Sequence, residues 1–193
     1  MPVHLLNKKW RIVLSSLAFA TLLHLSVYNQ ADAARAKFNE YQVKSVFLFN
    51  LAHFVFWPEE SFSQPDSPFF ITILGQDDFG KNLDEIIRNE KVGRHPIVLK
   101  RIKSLKEMGS TQILFIHRNT AKKIKNFAEQ TIPANVLTVS DYPGFTAKGG
   151  AISLLVRKNR IILELNAATT QHSNYKISSK LLQVAKIVGK KSP

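Results

Sequence analysis

Hydrophobic residues recur at intervals of three and four between residues 39 and 55, the spacing of one face of a helix. The stripe consists of Val43, Val46, Phe47, Leu51 and Phe54, widened toward its end by Leu48, Phe49 and Val55. Asn39 can cap the start of this helix. Pro58 disfavours a helical conformation at Trp57, so the helix ends before the Trp-Pro pair. A stripe this wide predicts a helix buried on several sides.

Four short apolar runs of strand length follow the helix. They span residues 69–74, 97–102, 112–117 and 136–140. Helical patterns at residues 81–89 and 120–130 lie between them, with Ile124, Phe127 and Ala128 facing inward in the second. Strands that alternate with helices at this spacing predict right-handed crossovers and a largely parallel sheet.

The C-terminal third has a different pattern. Strand-like runs at residues 151–157 and 160–166 are joined by Lys158-Asn159, and a two-residue connection predicts an antiparallel hairpin. Residues 178–188 predict a closing amphipathic helix, capped by Ser178 or Ser179. Its inward positions are Leu181, Leu182, Ala185 and Val188. The predicted fold is a three-layer α/β/α sandwich, with a mostly parallel central sheet and the antiparallel hairpin at one edge.

The first 33 residues have the three parts of a secretory signal peptide. Lys8, Lys9 and Arg11 form a positive start, residues 12–27 are mostly apolar, and Ala31-Asp32-Ala33 is a small-x-small cleavage site. A membrane anchor is the alternative, but the apolar run is shorter than the ~20 residues that span a bilayer. We therefore predict cleavage after Ala33 and a single periplasmic domain, residues 34–193.

Composition narrows the classes of function. The chain has no cysteine, which excludes disulfides and thiolate metal sites. Its net charge of +13 favours contact with anionic lipid, nucleic acid or an acidic protein. Aromatic residues are not interleaved with the basic ones, and export separates the protein from nucleic acid, so we expect no nucleic-acid partner.

No catalytic or metal-binding motif is evident. The histidines of the predicted mature chain, His53, His95, His117 and His172, lack the spacing of metal ligands. There is no G-x-S-x-G motif, and the turn at residues 75–80 lacks the G-x-G-x-x-G spacing and the Lys-Ser/Thr ending of phosphate loops. The sequence therefore predicts a protein that is not an enzyme and has no cofactor or metal.

Two segments are candidates for binding. The loop at residues 142–150 contains Gly149-Gly150, which can supply unusual backbone dihedrals at the entry to an edge strand, and Phe145, which we expect to be an exposed contact residue. In the first helix and just after it, Phe49, Phe56 and Trp57 lie off the main stripe. These three aromatic residues are a candidate pocket or dimer face.

The ordered set of motifs resembles the YfiR-like family of exported bacterial proteins. The resemblance extends from Tyr41 to Val188. Its motifs are residues 44–52 with Phe54 and Trp57-Pro58, then 73–75 with Phe79-Gly80, 93–96, 113–116, 137–141, Gly144-Phe145, Gly149-Gly150, 164–166 and 177–182.

This resemblance implies a periplasmic α/β protein, often dimeric, that restrains an inner-membrane diguanylate cyclase of the YfiN type by binding its periplasmic portion. Lower cyclic di-GMP and less biofilm would follow. It also implies that Phe145, Ile152 and Glu164 lie on the partner-binding surface. Their structural alternatives are sheet core for Ile152 and a salt bridge to an arginine for Glu164. Some relatives carry a cysteine pair where this chain has Thr146 and Ser153.

Two hypotheses of function result. The first is a periplasmic regulatory protein that binds and inhibits a membrane signalling receptor. The second is a periplasmic sensor of a small ligand, bound at the strand-to-helix turns of the parallel sheet.

Overall fold

The computed structural model describes residues 40–189 of the 193-residue chain. The predicted signal peptide and its cleavage site at Ala33 lie outside the described residues. No helix within residues 40–189 is long and apolar enough to cross a membrane.

The described chain contains five α-helices and ten strands. The helices are α1 (40–54), α2 (Lys81–Ile87), α3 (Arg118–Lys123), α4 (Ala167–Gln171) and α5 (Ser179–Val184). The strands are β1 (Val55–Phe56), β2 (Phe69–Leu74), β3 (Lys91–Val92), β4 (His95–Ile102), β5 (Ile113–Ile116), β6 (Leu137–Ser140), β7 (Ile152–Arg157), β8 (Arg160–Asn166), β9 (Lys176–Ile177) and β10 (Lys186–Val188). Short 3₁₀ turns occur at Glu59–Ser61, Leu105–Glu107 and Thr146–Lys148.

Eight strands form one mixed sheet in the order β10-β8-β7-β6-β5-β2-β4-β3. The five strands from β7 to β4 are mutually parallel, as the alternation of strands and helices predicted. The β7–β8 hairpin is antiparallel, and Lys158 and Asn159 at its turn both have positive φ, 50° and 57°. Such a primed turn matches the twist of the flanking strands. The predicted α/β fold is confirmed.

Alternate side chains of β5 contribute to two separate hydrophobic clusters. Ile113 and Phe115 belong to the cluster that contains residues of α1, α2 and α5. Leu114 and Ile116 belong to the other cluster, with Ala121 of α3. Because successive residues of a strand point to opposite faces of the sheet, helices cover the sheet on both sides. This is the predicted three-layer arrangement.

The helix predicted at residues 120–130 ends at Lys123. The next residue, Ile124, has an extended backbone with ψ of 122°. Further along, the backbone N–H of Phe127 donates to the carbonyl of Lys148, with a nitrogen-to-oxygen distance of 2.8 Å. The prediction is therefore wrong beyond Lys123. The helix ends there because this tertiary hydrogen bond and the burial of the Phe127 side chain outweigh the local helix propensity.

The helix predicted at residues 178–188 also ends early. Ser178 caps it as expected, since its Oγ accepts from the backbone N–H of Leu181 at 3.3 Å. Ala185 is extended, and Lys186–Val188 forms β10, a parallel strand outside β8. Hydrogen bonding along β8 therefore replaces the last turn of the predicted helix. Leu182, expected to face inward, is exposed.

The buried face of α1 differs from the predicted stripe. Val43 and Val46 are 45% and 44% exposed, whereas Leu48 and Leu51 are buried as expected. The buried face also includes the polar residue Lys44, which is 1% exposed. The predicted stripe was drawn from apolar residues alone and therefore excluded Lys44. For that reason the predicted buried face of α1 is turned away from the observed one.

We predict unequal effects for two alanine substitutions on α1. Leu48→Ala removes a fully buried side chain and should lower the free energy of unfolding by about 2–5 kcal/mol. Val46→Ala, two positions earlier on the exposed side, should change it by less than about 0.5 kcal/mol. Denaturant unfolding of both variants measures the difference. Equal losses would contradict the observed orientation of the helix.

Candidate functional site

The order of the sheet creates a switch point beside β2. The chain passes from β2 to β4 on one side and then reaches β5 on the other side of β2. Loops that follow β2 and β5 therefore diverge at the carboxyl ends of the parallel strands, where α/β folds commonly bind ligands. These loops contain Asp78 and His117, and Asp141 follows the next strand, β6.

A partly buried ionic cluster occupies this end of the sheet. We define it as Glu40, Tyr41, Lys44, Arg118 and Asp141. The Asp141 carboxylate accepts from the Tyr41 hydroxyl at 2.7 Å, the Lys44 Nζ at 3.0 Å and the Arg118 Nε at 2.7 Å. It also accepts from the backbone N–H of Arg118 at 2.9 Å. Glu40 forms ion pairs with both Lys44 and Arg118.

The cluster keeps both carboxylates ionised. Burial by itself raises the pKa of Asp141, but the Lys44 charge, the Tyr41 and Lys44 hydrogen bonds and the Arg118 charge outweigh it, and the pKa is lower than usual. The pKa of Glu40 is lowered in the same way, against burial, by Lys44 and Arg118. Burial, reinforced by the neighbouring Asp141, raises the pKa of Tyr41, which stays protonated. Two carboxylates thus balance two cations.

This geometry fixes α1 to the sheet. Lys44 and Tyr41, near the start of α1, meet Asp141 at the carboxyl end of β6. Beyond the end of α1, the indole Nε1 of Trp57 donates to the carbonyl of Asn135, before the amino end of the same strand, at 3.0 Å. The helix therefore crosses the sheet and is held at both of its ends.

The neighbouring polar residues have structural roles as well. His117 accepts from the backbone N–H of Asn119 through Nδ1, at 3.2 Å, and its Nε2 lies 3.3 Å from Asp78 Oδ2. Asp77 accepts from the backbone N–H of Phe79 at 2.9 Å and pairs with Arg101. Within residues 40–189 no group of three or more histidine and acidic residues is arranged to hold a metal ion.

Phe145 is buried, contrary to our expectation of an exposed contact residue. It is 0% exposed and makes an edge contact with Phe127, with ring centroids 4.5 Å apart. A Cβ atom on Gly150 would lie 2.2 Å from the Phe145 ring, so Gly150 permits this close packing. Gly149, with φ of 91°, supplies the unusual dihedral that we predicted for the glycine pair.

The other two predicted partner-binding residues lie in the hairpin. Ile152 is fully buried in the cluster that contacts α1, on the face of the sheet opposite Phe145. Glu164 is nearly buried and pairs with Lys186 of β10 at 2.9 Å, where we had considered an arginine. Ser153 lies opposite Glu164, and its Oγ has no hydrogen-bond partner within residues 40–189. A partner-binding role for these residues stays a prediction.

The three aromatic residues proposed as a pocket or dimer face have separate environments. Phe56 is 61% exposed. Trp57 packs against Phe69 with ring centroids 4.9 Å apart, and Phe49 packs against His53 at 4.8 Å. Of the three, Phe56 offers the most surface to another molecule.

A cleft of about 470 Å³ opens near the amino end of β6. We call it the amino-end cleft. Its lining includes Phe127, Ile132, Pro133, Ala168, His172 and Tyr175. Burial raises the pKa of Tyr175 to about 12, so its hydroxyl is protonated at neutral pH. The lining is mainly apolar surface with several polar side chains, as in many small-molecule sites.

Sequence reasoning missed the ionic cluster. Asp141 directly follows a predicted strand, and that position could have marked it as a candidate. Lys44 lies inside an apolar helix, but the pattern gives no partner for it, since Asp141 is 97 residues away.

Comparison with known proteins places the chain in a family. A family model described as YfiR/HmsC-like matches residues 41–186. None of the curated proteins matches the chain.

We predict that the ionic cluster makes stability depend on acid pH. The folded-state pKa values of Asp141 and Glu40 lie below their ordinary values of 3.8 and 4.5, so the unfolded chain binds more protons in this range. The contribution of the ionic cluster to the free energy of unfolding is fully present above about pH 5. It is lost as the pH falls through the lowered pKa values of the two carboxyl groups. Asp141→Asn should lower the free energy of unfolding by about 3–5 kcal/mol, because it removes the buried partner of Lys44.

Thermal or urea unfolding at several pH values tests this prediction. In Asp141→Asn the decline of stability between about pH 5 and pH 3 should be shallower than in the unchanged protein. Asp66→Asn, at an exposed position, serves as the control and should retain the full decline. An unchanged decline in Asp141→Asn would contradict the assignment.

Proposed function

The chain belongs to the YfiR/HmsC-like family, and from that membership we propose that it restrains an inner-membrane diguanylate cyclase by binding the periplasmic portion of the cyclase. Regulation of diguanylate cyclase signalling is the theme of this family. A cyclase of the YfiN type is the proposed partner, and lower cyclic di-GMP with less biofilm is the proposed result. The family match over residues 41–186 carries the proposal.

The side chains of the described residues support binding rather than catalysis. The ionisable groups at the switch point are engaged with one another: Asp141 accepts four hydrogen bonds, and Lys44 and Arg118 each contact both acidic residues. Groups held in this way stabilise the fold and are not poised to transfer protons to a substrate. A non-enzymatic regulator fits this arrangement.

We place the partner-binding region on the C-terminal hairpin and the strand beside it. Glu164 of β8 and Lys186 of β10 form an ion pair in which the lysine is 59% exposed and the carboxylate 10%. The pair ties the outer strand β10 to the hairpin at the first position of their register. Loss of the Glu164 charge would loosen β10 and alter the outer surface of this region.

Capture of the cyclase tests the proposal. The exported protein should retain the periplasmic portion of the cyclase in a pull-down, and Glu164→Gln should weaken this capture about tenfold by releasing Lys186. Glu85→Gln removes one exposed carboxylate from α2 and is the matched control, with capture unchanged. Failure of the unchanged protein to capture the cyclase would contradict the proposed function.

The amino-end cleft favours a second function, that of a sensor for a small ligand. Its volume of about 470 Å³ suits a small molecule, and its lining is mainly apolar. It lies at the end of the sheet opposite the strand-to-helix turns where we expected a ligand. An amino acid or a vitamin is the proposed class of ligand, and both functions are compatible in one protein.

A thermal-shift screen of amino acids and vitamins tests the sensor function. A ligand present at 100 times its Kd should stabilise the fold by about 2.7 kcal/mol and raise the melting temperature. Ala168→Phe, which fills the cleft, should abolish the shift. Ala167→Phe, on the same helix but outside the lining residues, should retain it. No shift with any compound would contradict this second function.

A further inference from the structure

The β7–β8 hairpin extends beyond both neighbouring strands. β6 pairs with β7 only at Ile152 and Ser153, and β10 pairs with β8 only from Glu164 onward. The four outer cross-strand pairs, from Leu154↔Leu163 to Arg157↔Arg160, have no strand of the described chain beside them. We call residues 154–163 the hairpin arm. At about 3.4 Å per residue, its four outer pairs extend roughly 14 Å past the rest of the sheet.

The tip of the hairpin arm concentrates positive charge. Arg157, Lys158 and Arg160 are all exposed, and Arg157 lies directly opposite Arg160. None of the three forms an ion pair with any residue between 40 and 189. Like charges directly opposite each other destabilise a hairpin. An anion that binds between the two arginines would remove this repulsion.

An apolar side chain accompanies these charges. Val156, next to Arg157, is 41% exposed, and its cross-strand partner Ile161 is only partly buried. Because successive residues of a strand point to opposite faces, the tip presents apolar groups on one face, from Val156 and Ile161, and cationic groups on the other, from Arg157 and Arg160. Segments that lie at a membrane surface combine these two properties, because apolar groups enter the boundary of the acyl region while Lys and Arg contact the phosphates.

We infer that the hairpin arm docks on an anionic phospholipid surface, with the Arg157 and Arg160 guanidinium groups on headgroup phosphates. Arginine binds phosphate oxygens through two parallel N–H donors, which suits this pair. The tip is a convex two-residue turn, whereas a stable protein interface buries about 800 Å² on each partner. A layer of headgroups needs no matching concave surface, so the shape of the tip favours lipid over an acidic protein.

This inference rests on the proposed function in one respect, since it assumes export to the compartment that the inner membrane borders. Docking through the hairpin arm would hold the regulator against the membrane in which the cyclase lies. Diffusion of the regulator toward the cyclase would then be confined to the plane of the membrane.

Binding of the exported protein to lipid vesicles tests the inference. The vesicles contain either phosphatidylglycerol mixed with phosphatidylcholine or phosphatidylcholine alone, at about 0.1 M salt. The unchanged protein should bind the first kind and not the second. Arg157→Gln with Arg160→Gln should weaken binding about 20- to 30-fold, since each basic residue near a charged surface contributes about a factor of five.

Arg88→Gln with Lys91→Gln is the matched control. It removes the same charge from exposed positions near the amino end of β4, at the opposite end of the sheet, and should weaken binding less than about threefold. Val156→Ser should also weaken binding, without any change of charge. Circular dichroism and the melting temperature confirm that each variant is folded.

Equal losses in the two double variants would overturn the inference, because attraction would then follow net charge alone. Vesicle binding that survives in the arginine variant, together with lost capture of the cyclase in solution, would also overturn it and would assign the tip to an acidic protein surface. Membrane docking and restraint of the cyclase can be refuted independently of each other. Vesicle binding does not require the cyclase, and capture of the cyclase in solution does not require lipid.

Discussion

The buried contact between Asp141 and Lys44 is the interaction on which the arrangement of the layers depends. It joins the start of α1 to the carboxyl end of the central strand β6. A lysine at this depth is costly unless an ionised partner and further hydrogen bonds compensate it. Asp141 supplies the charge, while Tyr41, Arg118 and Glu40 complete the network. With α1 fixed there and at Trp57, the large hydrophobic cluster on that face of the sheet is closed.

The sequence predicted the parts of the fold that depend on local pattern. The β2 strand follows from a short continuous apolar run and the β7–β8 hairpin from its two-residue Lys158-Asn159 turn, and both were confirmed. The incorrect predictions concern segments whose conformation is determined by contacts between residues that are distant in the sequence. The Phe127–Lys148 hydrogen bond ends α3, and pairing with β8 converts the last turn of the predicted C-terminal helix into β10.

The same distinction applies to the candidate sites. Family resemblance indicated the hairpin region, but the burial of Phe145 depends on the missing Cβ of Gly150 and on Phe127, neither of which a sequence pattern specifies. The ionic cluster was not predicted because its members come from three separate parts of the chain. The cationic tip was visible as a run of basic residues, but its extension beyond the neighbouring strands became evident only from the pairing register.

The ionisable groups at the switch point hold α1 against the sheet, and the contacts that we propose with other molecules lie elsewhere. We propose that this domain restrains a diguanylate cyclase. The decisive measurement is the level of cyclic di-GMP in cells with and without the gene, in the presence of the cyclase. Cyclic di-GMP should rise on deletion and return to its original level when the intact gene is restored. An unchanged level on deletion would show that the protein does not restrain the cyclase.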